Sequence, residues 1–315
     1  MSFKRNIVMV VVIVGSLLTA CGSPSPAAPT SVPAAPQQPA APAAPTAAAP
    51  AADQNLTNTV SMPVVVMPAA EPTVLPQPTA MPTLMPANVG SASFNGVSFN
   101  FDTAFAQAAN PRTAPAENPG ADAPYWAVFP AYDVFEFAGY PSKNTYHKPR
   151  IEIYSVAEFE QMNQAAKDQI AKLKQLLGDA PATPTEIPLV PIFNAAQVFR
   201  AQVKYMNFQS GQGVRFITQY DQAVIPISNM EVFYTFQGLT SDGKWYIAAI
   251  LPVATSALPD SDQVPADQAQ NFSTAEAFTA YLTGVVDKLN GLQAADFSPN
   301  LDQLDAMIQS LKVER

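Results

Sequence analysis

The chain contains one histidine and one cysteine among its 315 residues, which limits the chemistry its side chains can perform. A protein zinc site needs three or four such ligands, so no multi-histidine or cysteine-based site can form. His147 could serve a Ser-His-Asp triad, because triad partners need not be adjacent in sequence. No serine lies in a G-x-S-x-G nucleophile elbow, and we interpret His147 as a loop residue before a strand.

Acidic residues offer two further kinds of chemistry. Asp260, Asp262 and Asp267 suggest calcium binding, but an EF-hand loop would need an oxygen ligand and a glycine where Val264 and Pro265 stand. We therefore interpret this segment as a solvated linker with acidic caps. We predict no metal and no cofactor.

Glu136 and Glu152 lie on predicted strands and could form a hydrolytic pair. Glycosidases use two carboxylates about 5–10 Å apart in a groove. Most domains contain such pairs, so we keep a cell-envelope hydrolase as an alternative and predict that the protein is not an enzyme.

Residues 125–140 are rich in aromatic side chains. Aromatic residues at alternating positions usually form core, whereas outward-facing ones would create a ligand or partner surface. Trp126 and Tyr132 are the residues that we predict for such a surface.

The N-terminus has the features of a secretory signal. Lys4 and Arg5 precede the apolar run 7–14, and small residues lead to Cys21. The apolar run is shorter than the roughly 20 residues that a membrane-spanning helix needs.

Residues Leu18-Thr19-Ala20-Cys21 resemble the cleavage box of bacterial lipoproteins. The resemblance implies cleavage before Cys21, diacylglycerol on its sulfur, and acylation of the new amine, for example by palmitate. Two or three acyl chains anchor a protein stably. We therefore expect an extracytoplasmic protein that its N-terminal lipid holds on the cell membrane, or on the outer membrane if the host has one.

Composition divides the chain into a signal peptide (1–20), a lipidated cysteine with a disordered Pro/Ala/Thr-rich tether (21–90), and one globular domain (91–315). Residues 22–90 hold 16 of the 32 prolines and two charged residues. Proline fixes its own backbone dihedral and lacks a donor, so such a segment favours an extended spacer.

Net charge excludes one class of partner. Cleavage after residue 20 removes Lys4 and Arg5 and no acid, which leaves 14 basic and 25 acidic residues and a net charge of −11. Such a surface repels phosphate backbones, so we predict no nucleic-acid partner.

Period-two alternation and turn residues predict an antiparallel sheet. The predicted strands are 95–101, one or two within 125–137, 150–154, 199–205, 214–220, 231–237 and 245–253. Proline-rich loops are predicted at 110–124 and 181–191, and hairpin turns at 210–213 and 240–244. Residues 248–251 are apolar without alternation, so their strand should be central.

Three helices are predicted from capping residues and apolar stripes. Ser155 with Glu158 begins the first helix and Gly178 ends it, Ser273 with Glu276 begins the second, and Ser298 before Pro299 begins the third. The predicted buried stripes are Phe159, Met162, Ala166, Ile170, Leu173 and Leu177; Phe278, Leu282, Val285 and Leu289; and Leu301, Leu304, Ile308 and Leu311.

These elements predict an α+β fold, a mainly antiparallel sheet packed by about three helices, one mid-domain and two C-terminal. Residues 96–101, 233–246 and 301–311 resemble parts of PsbP-type domains. The resemblance implies a non-enzymatic assembly or accessory factor. We therefore expect a binding or accessory module that recruits a protein or a small apolar ligand, with a hydrolase or a purely structural envelope protein as alternatives.

Overall fold

Antiparallel strands dominate the computed structural model, which describes residues 88–144 and 146–315. The signal peptide, Cys21 and the predicted tether lie outside the described residues. The strands are β1 Val89–Phe94, β2 Val97–Asp102, β3 Ala108–Ala114, β4 Tyr132–Ala138, β5 Arg150–Ser155, β6 Ala196–Phe208, β7 Gly211–Asp221, β8 Phe233–Thr240, β9 Trp245–Pro252, β10 Ala254–Thr255, β11 Phe297–Ser298 and β12 Lys312–Val313.

The described residues also form four α-helices. They are α1 Val156–Met162, α2 Gln164–Asp179, α3 Ala275–Asn290 and α4 Leu301–Ser310. The predicted α+β class with a mainly antiparallel sheet is confirmed. Of the helices in this part of the chain, none combines the length and apolar character that crossing a bilayer requires.

Seven strands form the main sheet, in the order β3-β4-β5-β9-β8-β7-β6. Strand β9 is therefore central, as the unbroken apolar run 248–251 predicts, and its side chains enter both cores. A second sheet, in the order β1-β2-β12, packs with α4 over one face of the main sheet. Helices α1 and α2 cover the other face.

The apolar faces of the first predicted strand and of the last predicted helix are buried. In β2, Val97, Phe99 and Phe101 are buried and pack over β4. In α4 and just beyond it, the four predicted leucine and isoleucine side chains are fully buried. However, α4 is capped by Asn300, whose Oδ1 accepts from the Asp302 N–H, and not by Ser298, which belongs to β11.

The predicted mid-domain helix is two helices. Ser155 caps α1 as predicted, accepting a hydrogen bond from the Glu158 N–H. Asn163 then leaves helical geometry and caps α2 through Ala166, while its Nδ2 donates to the carbonyls of Tyr125 and Val128. Those tertiary bonds stabilise the break, which local helix propensity does not show.

Two local stop and turn predictions are wrong. Helix α2 continues through Gly178, and Ala180 adopts the left-handed conformation that ends it. The turn between β6 and β7 consists of Gln209 and Ser210, because Phe208 pairs directly with Gly211. Gly213 lies inside β7, where a Cβ atom would collide with the Phe236 ring.

The predicted proline-rich loop 110–124 begins with a strand. β3 contains Pro111 and lies at one edge of the main sheet. An edge strand tolerates proline because one side of its backbone needs no ladder hydrogen bonds. The predicted interruption at Pro130 is correct, since β4 begins after it.

A β-bulge in β6 overturns the predicted alternation over 199–205. The pairing with β7 shifts between Ala201 and Lys204, and Gln202 has a φ of +55°. Phe199 therefore packs in the core under β1 and β2, while Val203 is half-buried at the edge of the sheet, where it contacts the core on the α2 side. A bulge inserts one residue and reverses every side chain after it.

An acid-base cluster occupies the core beside this bulge. Asp305 of α4 is buried and accepts from Arg215 Nε (3.2 Å), Tyr234 Oη (3.0 Å) and Lys204 Nζ (2.9 Å). Arg215 also donates to the Gln202 carbonyl. The cluster therefore joins α4 to three strands of the main sheet.

Candidate functional site

The aromatic segment 125–140 is divided between core and surface. Phe135 and Phe137 are buried, whereas Tyr125 is 45% exposed. Trp126 is half-buried in the 3-10 turn Tyr125–Ala127, and its ring lies 4.8 Å from that of Tyr125. Tyr132 is half-buried at the start of β4, with its ring 4.7 Å from Tyr154. Their role in binding stays a prediction.

His147 lies in the loop before β5, half-buried between aromatic rings. Its ring centroid is 4.4 Å from that of Phe233 and 5.3 Å from that of Phe193. Burial, with a smaller contribution from the positive charge of Arg150, lowers the pKa of His147 to about 4. The imidazole is therefore neutral at pH 7, and no hydrogen bond within residues 88–144 and 146–315 joins it to a serine or aspartate.

The two strand glutamates each belong to an ion pair. Glu152 is buried and accepts from Arg150 Nε (2.6 Å) and Tyr154 Oη (3.0 Å). Glu136 accepts from Arg112 Nη2 at 2.9 Å on the partly exposed edge of the sheet. Both carboxylates are therefore committed to basic partners.

The predicted linker acids do not assemble a metal site. Asp260 accepts from Lys143 Nζ (2.6 Å) and Asn229 Nδ2 (2.7 Å), and these bonds lower the pKa of its carboxyl. Asp267 lies in the 3-10 helix Ala266–Phe272. Within residues 88–144 and 146–315, no three histidine, cysteine or acidic side chains come together as metal ligands.

A carboxyl pair that the sequence analysis did not single out lies between β7 and β8. Glu231 is only 5% exposed and hydrogen-bonds Asp221. Burial, that hydrogen bond and the charges of Asp221 and Asp262 raise the pKa of Glu231 to about 7. Ser228 is buried nearby in the chain, with no partner for its Oγ among the described residues.

Hydrogen bonds attach helix α3 to the rest of the domain near its C-terminus and at Tyr281, close to its middle. Near its C-terminus, Asn290 Oδ1 accepts from the Gln202 N–H (2.7 Å), and Gln202 Nε2 donates to the carbonyls of Leu289 and Leu292. Close to its middle, Tyr281 Oη accepts from the Ile227 N–H at 2.9 Å. The left-handed backbone at Gln202 thus helps to hold α3 against edge strand β6.

The middle of α3 is less covered than its stripe predicts. Leu289 is fully buried, whereas Phe278, Leu282 and Val285 are half-buried. Thr274, and not the predicted Ser273, caps the helix. The apolar stripe therefore faces the core, but only its last turn is fully buried.

A groove of about 460 Å³ separates the middle of α3 from β6 and residues 182–184. Four of its apolar side chains are half-buried at this position: Val198 and Val203 of β6, and Leu282 and Val286 of α3. We call this feature the α3–β6 groove. Half-buried apolar side chains of two elements thus border one cavity, which polar side chains also line.

Several polar groups of the α3–β6 groove are engaged within the protein. Thr279 and Thr283 donate their hydroxyl protons to carbonyls one turn earlier in α3. Arg200 donates Nε to the Pro184 carbonyl at 2.7 Å, which fixes the guanidinium at the wall of the groove. Its two Nη groups make no hydrogen bond or ion pair with the described residues.

A scan of the chain against protein-family models and a search of curated proteins found no match. The resemblance of residues 96–101, 233–246 and 301–311 to PsbP-type domains stays a prediction. The α3–β6 groove is therefore described from its geometry and its lining residues alone.

Proposed function

We propose that the chain is a membrane-anchored extracytoplasmic lipoprotein whose folded part is a non-catalytic binding module. The α3–β6 groove is its ligand site. The observation that carries the proposal is that apolar side chains of α3 and β6 remain half-buried around a cavity between the two elements.

The membrane anchor is supported by sequence outside the described residues. Lys4, Arg5, the apolar run 7–14 and Leu18–Cys21 have the order of a lipoprotein signal. A lipid on Cys21 would leave the mature chain without a free thiol, because no other cysteine exists.

Replacing Cys21 with alanine should abolish lipid attachment and leave an unprocessed precursor. The measurement is labelling of the expressed chain with radioactive palmitate, together with its intact mass. The mass is needed because an uncleaved signal can itself hold the precursor on the membrane. Gly22→Ala is the matched control and should retain label and cleavage. A labelled, cleaved Cys21→Ala chain would disprove the anchor.

One groove holds two carboxylates that the hydrolase alternative could use. Asp260 and Asp296 both line a groove of about 800 Å³. A general acid needs a raised pKa, whereas the pKa of Asp260 is lowered by Lys143 and Asn229. Asp296 accepts from the Gln293 N–H at 2.7 Å and so caps a 3-10 turn. The geometry favours binding over hydrolysis.

We expect the neutral apolar dye Nile red to bind at the α3–β6 groove, with increased fluorescence in the Cys21→Ser chain. Leu282→Asp places a charge in the apolar lining and should weaken dye binding at least tenfold. Thr283→Trp fills the groove from an exposed position on α3 and should weaken binding without burying a charge.

The matched control is Val224→Asp, which introduces the same charge at a site that is 53% exposed and does not line the groove. It should bind the dye like the parent chain. Equal dye binding by all four proteins, each shown to be folded by circular dichroism, would remove the groove as the binding site. Absence of dye binding in the parent chain would do the same.

A further inference from the structure

We propose that the ligand of the α3–β6 groove is an amphiphile with one apolar chain and one carboxylate. This inference rests on the proposed function, because it names the ligand class of the same groove. It follows from Arg200, which among the described residues is the one cation of the lining, and from the four apolar side chains Val198, Val203, Leu282 and Val286 that share the groove with it.

Arg200 is positioned to receive an anion. Its Nε is committed to the Pro184 carbonyl, so the guanidinium plane is held in place while both Nη groups remain without partners among the described residues. A planar guanidinium presents paired N–H groups that match the two oxygens of a carboxylate. Because Arg200 is half-buried, its attraction for a carboxylate is stronger than that of a fully solvated lysine.

The other side chains restrict what can accompany the anion. Val198, Val203, Leu282 and Val286 supply apolar surface, and the nearby threonine hydroxyls donate within α3. These surfaces suit a hydrocarbon chain, which needs no hydrogen-bond partner. The body of the ligand should therefore be apolar.

Asp287 disfavours a ligand that carries several negative charges. It lies on the wall of the same groove, and among the described residues no ion pair joins it to Arg200. A ligand with several negative charges would be repelled by Asp287 and by the acidic domain, whereas one carboxylate can pair with Arg200 alone. A singly charged carboxylate is therefore favoured over a phosphate group.

The test compares octanoate, 1-octanol and octylammonium, which share one chain length and differ in the head group. Binding to the Cys21→Ser chain is measured by isothermal titration calorimetry at low salt. We expect octanoate to bind at least tenfold more tightly than either analogue. Arg200→Gln should reduce octanoate affinity about tenfold and leave octanol affinity unchanged. The control Arg112→Gln removes an arginine from the opposite edge of the sheet and should change neither.

Each result discriminates between the two proposals. Equal affinities for octanoate and octanol in the parent chain, with loss of both in Leu282→Asp, would overturn the carboxylate inference and retain the groove as a binding site. Octanoate binding that is unaffected by Leu282→Asp would overturn both. Unchanged octanoate affinity in folded Arg200→Gln would remove Arg200 from recognition and overturn the inference.

Discussion

Replacing Asp305 with alanine should lower the free energy of unfolding by about 3–5 kcal/mol, the cost of breaking a buried ion pair. The Asp305 carboxylate is 4% exposed and accepts from three elements of the sheet. Its removal leaves the buried Arg215 guanidinium without a counter-charge and Tyr234 Oη without an acceptor. Both uncompensated groups remain in the core.

Chemical denaturation at pH 7, followed by circular dichroism, measures this loss. Asp302→Ala is the matched control because Asp302 lies on the exposed side of the same helix, where its substitution should cost under about 1 kcal/mol. The double variant Asp305→Leu with Arg215→Met should be more stable than Asp305→Ala, since it removes the orphaned charge. A loss in Asp305→Ala no larger than that of the control would refute the prediction.

Much of the fold follows from local patterns. The hairpin of β8 and β9 is predictable because Asp242-Gly243 specifies a turn between two apolar runs. The central place of β9 is predictable because a strand covered on both faces has no polar alternation. The buried face of α4 follows from its helical period in the same way.

The remaining features depend on partners distant in the chain. Nothing near Gln202 marks a bulge, because the positive φ is stabilised by contacts with Asn290 and Leu289 some 90 residues later. Asn163 breaks the helix by reaching carbonyls that precede it by 35 or more residues. Such pairings cannot be derived from the local sequence.

The candidate site likewise depends on contacts between residues that are distant in the chain. The stripe of α3 predicts a helix with one apolar face, but periodicity does not state how much of that face a neighbour covers. How much of the apolar face is covered depends on the hydrogen bonds of Asn290 and Tyr281 and on the position of the segment 182–184. In the sequence, Arg200 is one of the polar residues of a predicted alternating strand. The position of Arg200 at the groove depends on the fold, which brings the Pro184 carbonyl to its Nε.

Stability should fall as the pH rises from about 4.5 to about 7, because the folded protein holds a proton on Glu231 that the unfolded chain releases at lower pH. The pKa of this carboxyl is raised from 4.5 to about 7, first by burial and then by its hydrogen bond to Asp221. Because the pKa of Glu231 is higher in the folded protein, folding is favoured at low pH. The loss of stability reaches its full size above about pH 7.

Glu231→Gln should remove this part of the pH dependence. The amide keeps a hydrogen-bond donor for Asp221 and carries no charge to desolvate. At pH 8 the variant should be more stable than the parent chain by about 2 kcal/mol, which allows for some solvent screening of the full effect. At pH 4 the two proteins should differ by less than about 0.5 kcal/mol, since Glu231 is then protonated in both folded and unfolded parent chains.

The difference between variant and parent is measured by denaturant titration at several pH values, which cancels the contribution of other acids. Glu117→Gln, at an exposed position, is the control and should give a difference that is flat with pH. Asp221→Asn should lower the Glu231 pKa toward its ordinary value and flatten the profile in part, because the hydrogen bond and the charge of Asp221 both raise that pKa while burial remains. A Glu231→Gln difference that is the same at pH 4 and pH 8 would mean that this carboxyl titrates normally, and the carboxyl pair would then be an ordinary solvated contact between β7 and β8.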